Sequence, residues 1–221
     1  MGKALVIGAS GGIGQALSLA LESRGAQVSR LSRRTDGLDV TDEASVSAVL
    51  SKLTGPFETV FIATGALEIA GQGPEKSLRL LTAAALQAQF AVNAIGPVLL
   101  LKHLLPHLPK DTPCRVGVLS ARVGSIGDNR LGGWYSYRAA KAALNQLLHS
   151  ASIEITRSHK HAVIAALHPG TVATDFTAKF AGSHPTVTPQ TAAQNLLNVL
   201  DGLTPAQSGG FYDWAAKPVP W

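Results

Sequence analysis

The sequence predicts an α/β fold, with a doubly wound parallel sheet in one domain spanning residues 1–221. Three observations predict it. Short apolar runs alternate with helical patterns along the whole chain. A glycine-rich turn joins the first run to the first helical pattern. Helical stretches of ten or more residues separate most runs, as right-handed parallel crossovers require. Hydrophobic residues make up 46% of the 221, enough for one continuous core. Charged residues make up only 15%, too few for a disordered, solvating chain.

The elements follow in order. Lys3–Ile7 is an apolar run that stops at glycine, so it reads as a buried first strand rather than a leader peptide. Over 12–24, Ile13, Leu17, Ala20 and Leu21 share a helical face, and Gly25 is the stop. Gln27–Leu31 is a second strand. A helix over 42–53 takes Thr41 as N-cap and buries Val46, Val49, Leu50 and Leu53. Thr59–Ile62 is a third strand. The pattern over 83–108 predicts a long helix bent near Gly96 and Pro97, because proline removes a backbone donor. A strand at 115–119, a long helix at 135–157, a strand at 162–167, a helix at 191–200 and a last strand around Gly210, Phe211 and Tyr212 complete the chain. Only six residues, 32–37, separate the second strand from Leu38, Asp39 and Val40. That is too short for a parallel crossover, so the outer helix is expected to be missing and its edge strand reduced or absent.

Charge and cysteine usage narrow the functional classes. The net charge of +5 suits an anionic ligand, yet no run of four or more basic residues marks a nucleic-acid surface. Val98 to Leu105 is apolar but carries Lys102 and His103, so no transmembrane segment is expected. Cys114 is the only cysteine, which forbids an internal disulfide and points to a reducing, cytoplasmic compartment. It sits beside Pro113 with no base nearby in sequence, and reads as structural. His103, His107, His159 and His161 lack metal-ligand spacing, so no metal is expected.

The turn Gly8-Ala9-Ser10-Gly11-Gly12-Ile13-Gly14 lies between strand and helix, the context of a Rossmann-like dinucleotide loop. Glycines let the backbone approach a pyrophosphate, and the helix N-terminus offers free N–H groups. The second strand ends at Leu31-Ser32-Arg33-Arg34. A site selective for NAD places a carboxylate there, whereas a guanidinium binds a 2′-phosphate bidentately. The reading is NADP(H), with Arg33 first and Arg34 second; the alternative is a solvated turn. Asp39 and Val40 are placed to meet the adenine, or Asp39 simply enters the next helix.

Tyr137 and Lys141, spaced i, i+4 near the start of a long helix, share one face. Carbonyl reduction needs a hydride and a proton. A phenol is a weak acid unless a neighbouring ammonium stabilises its anion. A tyrosine packed beside a snorkelling lysine gives the same spacing, and the glycine loop about 125 residues earlier adds the weight.

On these residues the whole chain resembles the short-chain dehydrogenase/reductase family. Gly8, Gly12 and Gly14 match its glycine loop, Tyr137 and Lys141 its active pair, and Pro169 and Gly170 its P-G turn. The resemblance implies that Asn93 holds a proton-relay water, although a structural hydrogen bond is the alternative. It also implies that Val172 and Thr174 address the nicotinamide carboxamide, and that Ala63, Thr64 and Gly65 flank the cofactor. Leu119 to Gly127, Gly133 to Arg138 and the closing Pro220-Trp221 look like the C-factor branch, near the sniffer-type carbonyl reductases. The family further implies a homo-oligomer, dimer or tetramer, through the helices at 83–108 and 135–157.

Three departures stand out. Ile7 replaces the loop's usual threonine, and Ala63-Thr64-Gly65 replaces N-N-A-G. The family's catalytic serine position holds Ala121. Ser120 is one residue early and faces the other way in an extended strand, so it serves only if the strand has turned; Ser125 is a second candidate. A lost donor costs on the order of 2–4 kcal/mol of transition-state stabilisation. His168, Trp134 and Tyr135 either line the cleft or pack. The loop after Gly170, small-residue-rich through Ala181, Gly182 and Ser183, predicts an open pocket. Two functions follow: an NADP(H)-dependent enzyme interconverting a small-molecule carbonyl and alcohol, or a cofactor-binding regulatory protein with little turnover.

Overall fold

The structure, a computed structural model, describes residues 2–180 and 185–221. Ala181, Gly182 and Ser183, and the open pocket expected from them, lie outside the described residues. Six strands form one sheet: β1 (Lys3–Ile7), β2 (Gln27–Leu31), β3 (Thr59–Ile62), β4 (Cys114–Leu119), β5 (Ala162–His168) and β6 (Phe211–Asp213). Their order is β2-β1-β3-β4-β5-β6, and every neighbouring pair is parallel. The central strands read as unbroken apolar runs because both faces are covered. Alternation divides β1 between the faces. Leu5 and Ile7 join one core cluster, Ala4 and Val6 the other.

On the Ala4 face lie α1 (Gly12–Ser23) and α7 (Pro189–Gly202). On the Leu5 face lie α3 (Glu43–Leu50), α5 (Gly96–Leu104) and α6 (Tyr135–Ser158), and α4 (Ala83–Phe90) packs against α6. The N-cap of α3 is Asp42, whose Oδ1 accepts from Ala44 N at 3.0 Å, and not Thr41. A carboxylate one residue later takes the free N–H, and Thr41 instead donates to Asp39.

Segment 83–107 runs on as one rod through a π-turn, Ala91–Ile95, placed just before Gly96 and Pro97. The expected disturbance is therefore a wide turn, closed by Gly96 N–H on the Ala91 carbonyl. A Cβ on Gly96 would meet the Val40 carbonyl at 2.9 Å, so the glycine also allows close packing there. By length and composition this rod could cross a membrane. Here Leu100, Leu101 and Leu104 are fully buried against the sheet, while Lys102 and His103 reach Glu43. Leu100→Ala is expected to lower the unfolding free energy by about 2–5 kcal/mol, read from urea denaturation.

Between β2 and α3 there is no strand, as the short spacing requires. One helical turn, α2 (Arg33–Asp36), takes its place, capped by Ser32 and closed by Gly37 at φ 66°. β2 is thus the sheet edge. The connections leaving β1 and β3 diverge to opposite sides, which opens a crevice at the carboxyl ends of these strands.

Candidate active site

The crevice begins with the β1–α1 turn. Gly8 has φ 87°, and a Cβ there would meet the Ala63 carbonyl at 2.6 Å. A Cβ on Gly12 would meet Thr174 Cγ2 at 2.7 Å. These glycines therefore bring three backbone segments together at one point. Gly11 stands at the N-cap of α1 without a side chain to satisfy the helix's first N–H groups. Those donors and the positive end of the helix dipole stand at the cavity wall, where an anion would fit.

Two connected hollows flank the turn. The first, about 690 Å³, is lined by Gly11 to Gly14, Ala63, Thr64, Gly65, Tyr137 and Lys141. Pro169, Gly170, Val172 and Thr174 line it as well. The second, about 610 Å³, takes in Gly8, Ser10, Ser32, Arg33, Arg34, Asp39, Val40, and again Ala63 to Gly65. Neither Arg33 nor Arg34 has a carboxylate within ion-pair reach among the described residues. Asp39 does not enter the next helix, which Asp42 caps. It lines the hollow, and its carboxylate accepts the amide and hydroxyl of Thr41 at 2.9 and 2.7 Å. Those bonds hold its pKa below the usual value.

The residues fit a dinucleotide on observations independent of motif. Thr64 and His168 line the first hollow, and among the described residues Thr64 Oγ1 and His168 Nδ1 are buried without a protein partner. Buried polar atoms without partners are rare, and a polar ligand would satisfy them.

At the chemical end, Tyr137 and Lys141 are 4% and 3% exposed, so both ionising groups are desolvated. Lys141 Nζ lies 5.9 Å from the Tyr137 ring centroid and donates to the Leu119 carbonyl at 3.0 Å. Burial raises the Tyr137 pKa. Burial also pushes Lys141 down to about 7. The expected lowering of the phenol by the ammonium is therefore outweighed by desolvation in the protein alone.

Asn93 is fully buried, and its amide forms a reciprocal pair with the Ala66 backbone at 2.9 and 3.0 Å and also donates to Gln89 Oε1 at 2.6 Å. Its side chain thus pins the loop after β3, the structural alternative. Ser120 lies just past the end of β4, and its hydroxyl donates to Asn145 Oδ1 at 2.6 Å. Asn145 is eight residues beyond Tyr137, about 12 Å along α6. Ser120 and Ala121 both line the cavity, with the Ser120 hydroxyl committed to Asn145. Ser125 donates to the Pro220 carbonyl and accepts from Asp128 N, tying the C-terminal segment down.

Trp134 walls the pocket, edge-on to Tyr137 at 6.2 Å and to Phe180 at 5.8 Å. Burial, with Arg122 nearby, lowers His168 to about 4, so it is neutral at pH 7. No metal-ligand cluster occurs among the described residues.

Sequence reasoning missed two residues. Glu75, 6% exposed, accepts Ser136 N at 3.1 Å through its carboxylate and Trp134 N through its carbonyl. It caps α6 from a distant loop, because Trp134 at the N-cap offers no acceptor. Burial pushes the Glu75 carboxyl up, but hydrogen bonds from Ser136 outweigh this and leave it below the usual range. A long helix lacking its own cap was the available signal. Asn145 was reachable too, since 137, 141 and 145 share one helical face.

Comparison with known proteins agrees with this geometry. In sequence, the chain is 34% identical over 236 aligned residues to 1-hydroxy-2-glutathionyl-2-methyl-3-butene dehydrogenase of Rhodococcus sp. (strain AD45), covering 100% of both. It is 37% identical over 132 residues to C-signal of Myxococcus xanthus, covering 60% of this chain and 76% of that one. In structure, carbonyl reductase Sniffer of D. melanogaster superposes with a TM-score of 0.81 at 21% identity, over 100% of both chains. A short-chain dehydrogenase/reductase from Burkholderia multivorans with bound NADP superposes at 0.80 and 21% identity, over 100% of this chain and 99% of that one. These two structures share the fold. The family model described as short chain dehydrogenase matches residues 2–183. The chain therefore belongs to the short-chain dehydrogenase/reductase family of oxidoreductases.

Proposed function

We propose that the protein is an NADP(H)-dependent oxidoreductase that interconverts a carbonyl and an alcohol on a small molecule. One observation carries the reading: Tyr137 and Lys141 open onto the same cavity as the uncapped N-terminus of α1. Gly11 to Gly14 would hold the pyrophosphate, Arg33 and Arg34 the 2′-phosphate, and Val172 and Thr174 the carboxamide. Lys141 would hold the nicotinamide ribose. The cofactor, when bound, supplies or accepts the hydride. In reduction, the Tyr137 hydroxyl gives its proton to the oxygen of the reduced carbonyl; in oxidation it takes that proton back. Lys141, held by Leu119, stabilises the phenolate that results. We also place the protein in the cytoplasm, on its single buried cysteine, and as a homo-oligomer, on its family.

The test is titration with NADPH followed by a carbonyl panel. Turnover that depends on Tyr137 supports the reading. Tight binding without turnover favours the regulatory alternative, which Ala121 and the Ser120–Asn145 bond keep in view. Arg33→Ala is expected to lower the ratio of NADPH to NADH affinity about tenfold or more, because one charge-assisted phosphate contact is lost. An unchanged ratio would remove the 2′-phosphate assignment.

A further inference from the structure

We propose that the substrate of this cavity carries an anionic group, and that Arg138 is the residue that selects it. The inference rests on the proposed carbonyl chemistry and names its substrate class. Arg122, Arg138, Lys141 and His168 line the first hollow, and among the described residues no aspartate or glutamate does. Three of these four are accounted for. Lys141 belongs to the chemistry at Tyr137. His168 is neutral. Arg122 is paired with Asp128 at 2.7 Å and lies 3.7 Å from Asp213.

Arg138 is different. It is half-buried, and no carboxylate lies within ion-pair reach of it among the described residues. Its guanidinium donates only to neutral groups: Nε to the Gly133 carbonyl at 3.0 Å and Nη1 to the Val123 carbonyl at 3.2 Å. These two bonds fix the guanidinium at two points of the connection from β4 to α6. Nη2 keeps its two N–H groups for a ligand. A desolvated, permanently charged group without a counter-ion is costly. It is tolerated where a ligand supplies the missing charge.

The location assigns this charge to the substrate rather than the cofactor. Val123, Leu131, Gly132, Gly133 and Trp134 surround Arg138 in the connection from β4 to α6. The glycine turn, Gly11 to Gly14, belongs to a different connection, the one from β1 to α1. Tyr137 and Arg138 line the same hollow, so a substrate whose carbonyl meets the phenol can reach the guanidinium with its anionic end. Leu67, Leu131, Phe176 and Phe180 make the remaining wall apolar. The fitting substrate is thus an aldehyde or ketone with an apolar body and a carboxylate end.

The test compares 4-formylbenzoate with 4-methylbenzaldehyde, by calorimetric titration with and without saturating NADP+. The carboxylate is expected to bind about tenfold tighter, as one charge-assisted pair predicts. The gap should shrink as salt rises to about 0.5 M. Arg138→Gln should bring the gap below about twofold. Arg138→Lys, which keeps the charge, should retain part of it and covers the case in which the glutamine variant does not fold. Equal affinities in the wild type, or a gap that survives in Arg138→Gln, would overturn the proposal. Failure of NADP+ to bind would instead overturn the proposed function, since the difference between wild type and Arg138→Gln, measured without cofactor, reads Arg138.

Discussion

Replacing Tyr137 with phenylalanine is expected to reduce carbonyl reduction by about 10²–10⁴-fold in kcat, while NADPH still binds. The substitution removes one oxygen from a side chain that is 4% exposed and leaves the ring against Trp134. The pocket shape therefore survives, and the loss reports proton transfer. The pH dependence should separate the two directions. Burial raises the phenol pKa, so Tyr137 stays protonated through neutral pH and reduction needs no prior titration. Oxidation needs the phenolate, so its rate should climb with pH. Stopped-flow absorbance of NADPH in both directions reads this. A Tyr137→Phe variant with wild-type kcat would remove the phenol from the chemistry.

Ala121→Ser is expected to raise kcat about tenfold to a hundredfold. The position lines the cavity, and a hydroxyl there would offer the carbonyl oxygen a donor that the alanine methyl cannot. The companion variant separates Ala121 from its neighbour. Ser120→Ala should lower stability by about 1–3 kcal/mol, because it leaves the buried Asn145 carbonyl oxygen without its donor, yet change kcat little. The opposite outcome, a large kcat loss in Ser120→Ala with no gain in Ala121→Ser, would return Ser120 to the catalytic set. Initial rates and urea denaturation on the two variants decide between them.

Much of the framework was legible because its signals are local. The apolar run before Gly8, the helical face of Ile13 and Leu17, and the six residues between β2 and Leu38 each constrain the chain within a few positions. Even the missing edge strand followed from counting. The helix boundaries were less legible, as Thr41 shows: Asp42, one residue later, competed successfully for the same free N–H group. The roles of Asn93 and Ser120 were less legible still. Their hydrogen-bond partners lie far away in sequence: Ala66 for Asn93 and Asn145 for Ser120.

The sequence by itself determined the parallel sheet, the glycine turn and the alignment of Tyr137 with Lys141, because periodicity and backbone freedom are properties of neighbouring residues. Only the tertiary structure decided which polar groups were satisfied and which were left open. It joined Glu75 to the start of α6, tied the Ser120 hydroxyl to Asn145, and left Arg138 with no carboxylate in ion-pair reach among the described residues. Hydrogen-bond satisfaction and desolvation depend on what packs nearby in space, and that is set when distant segments meet.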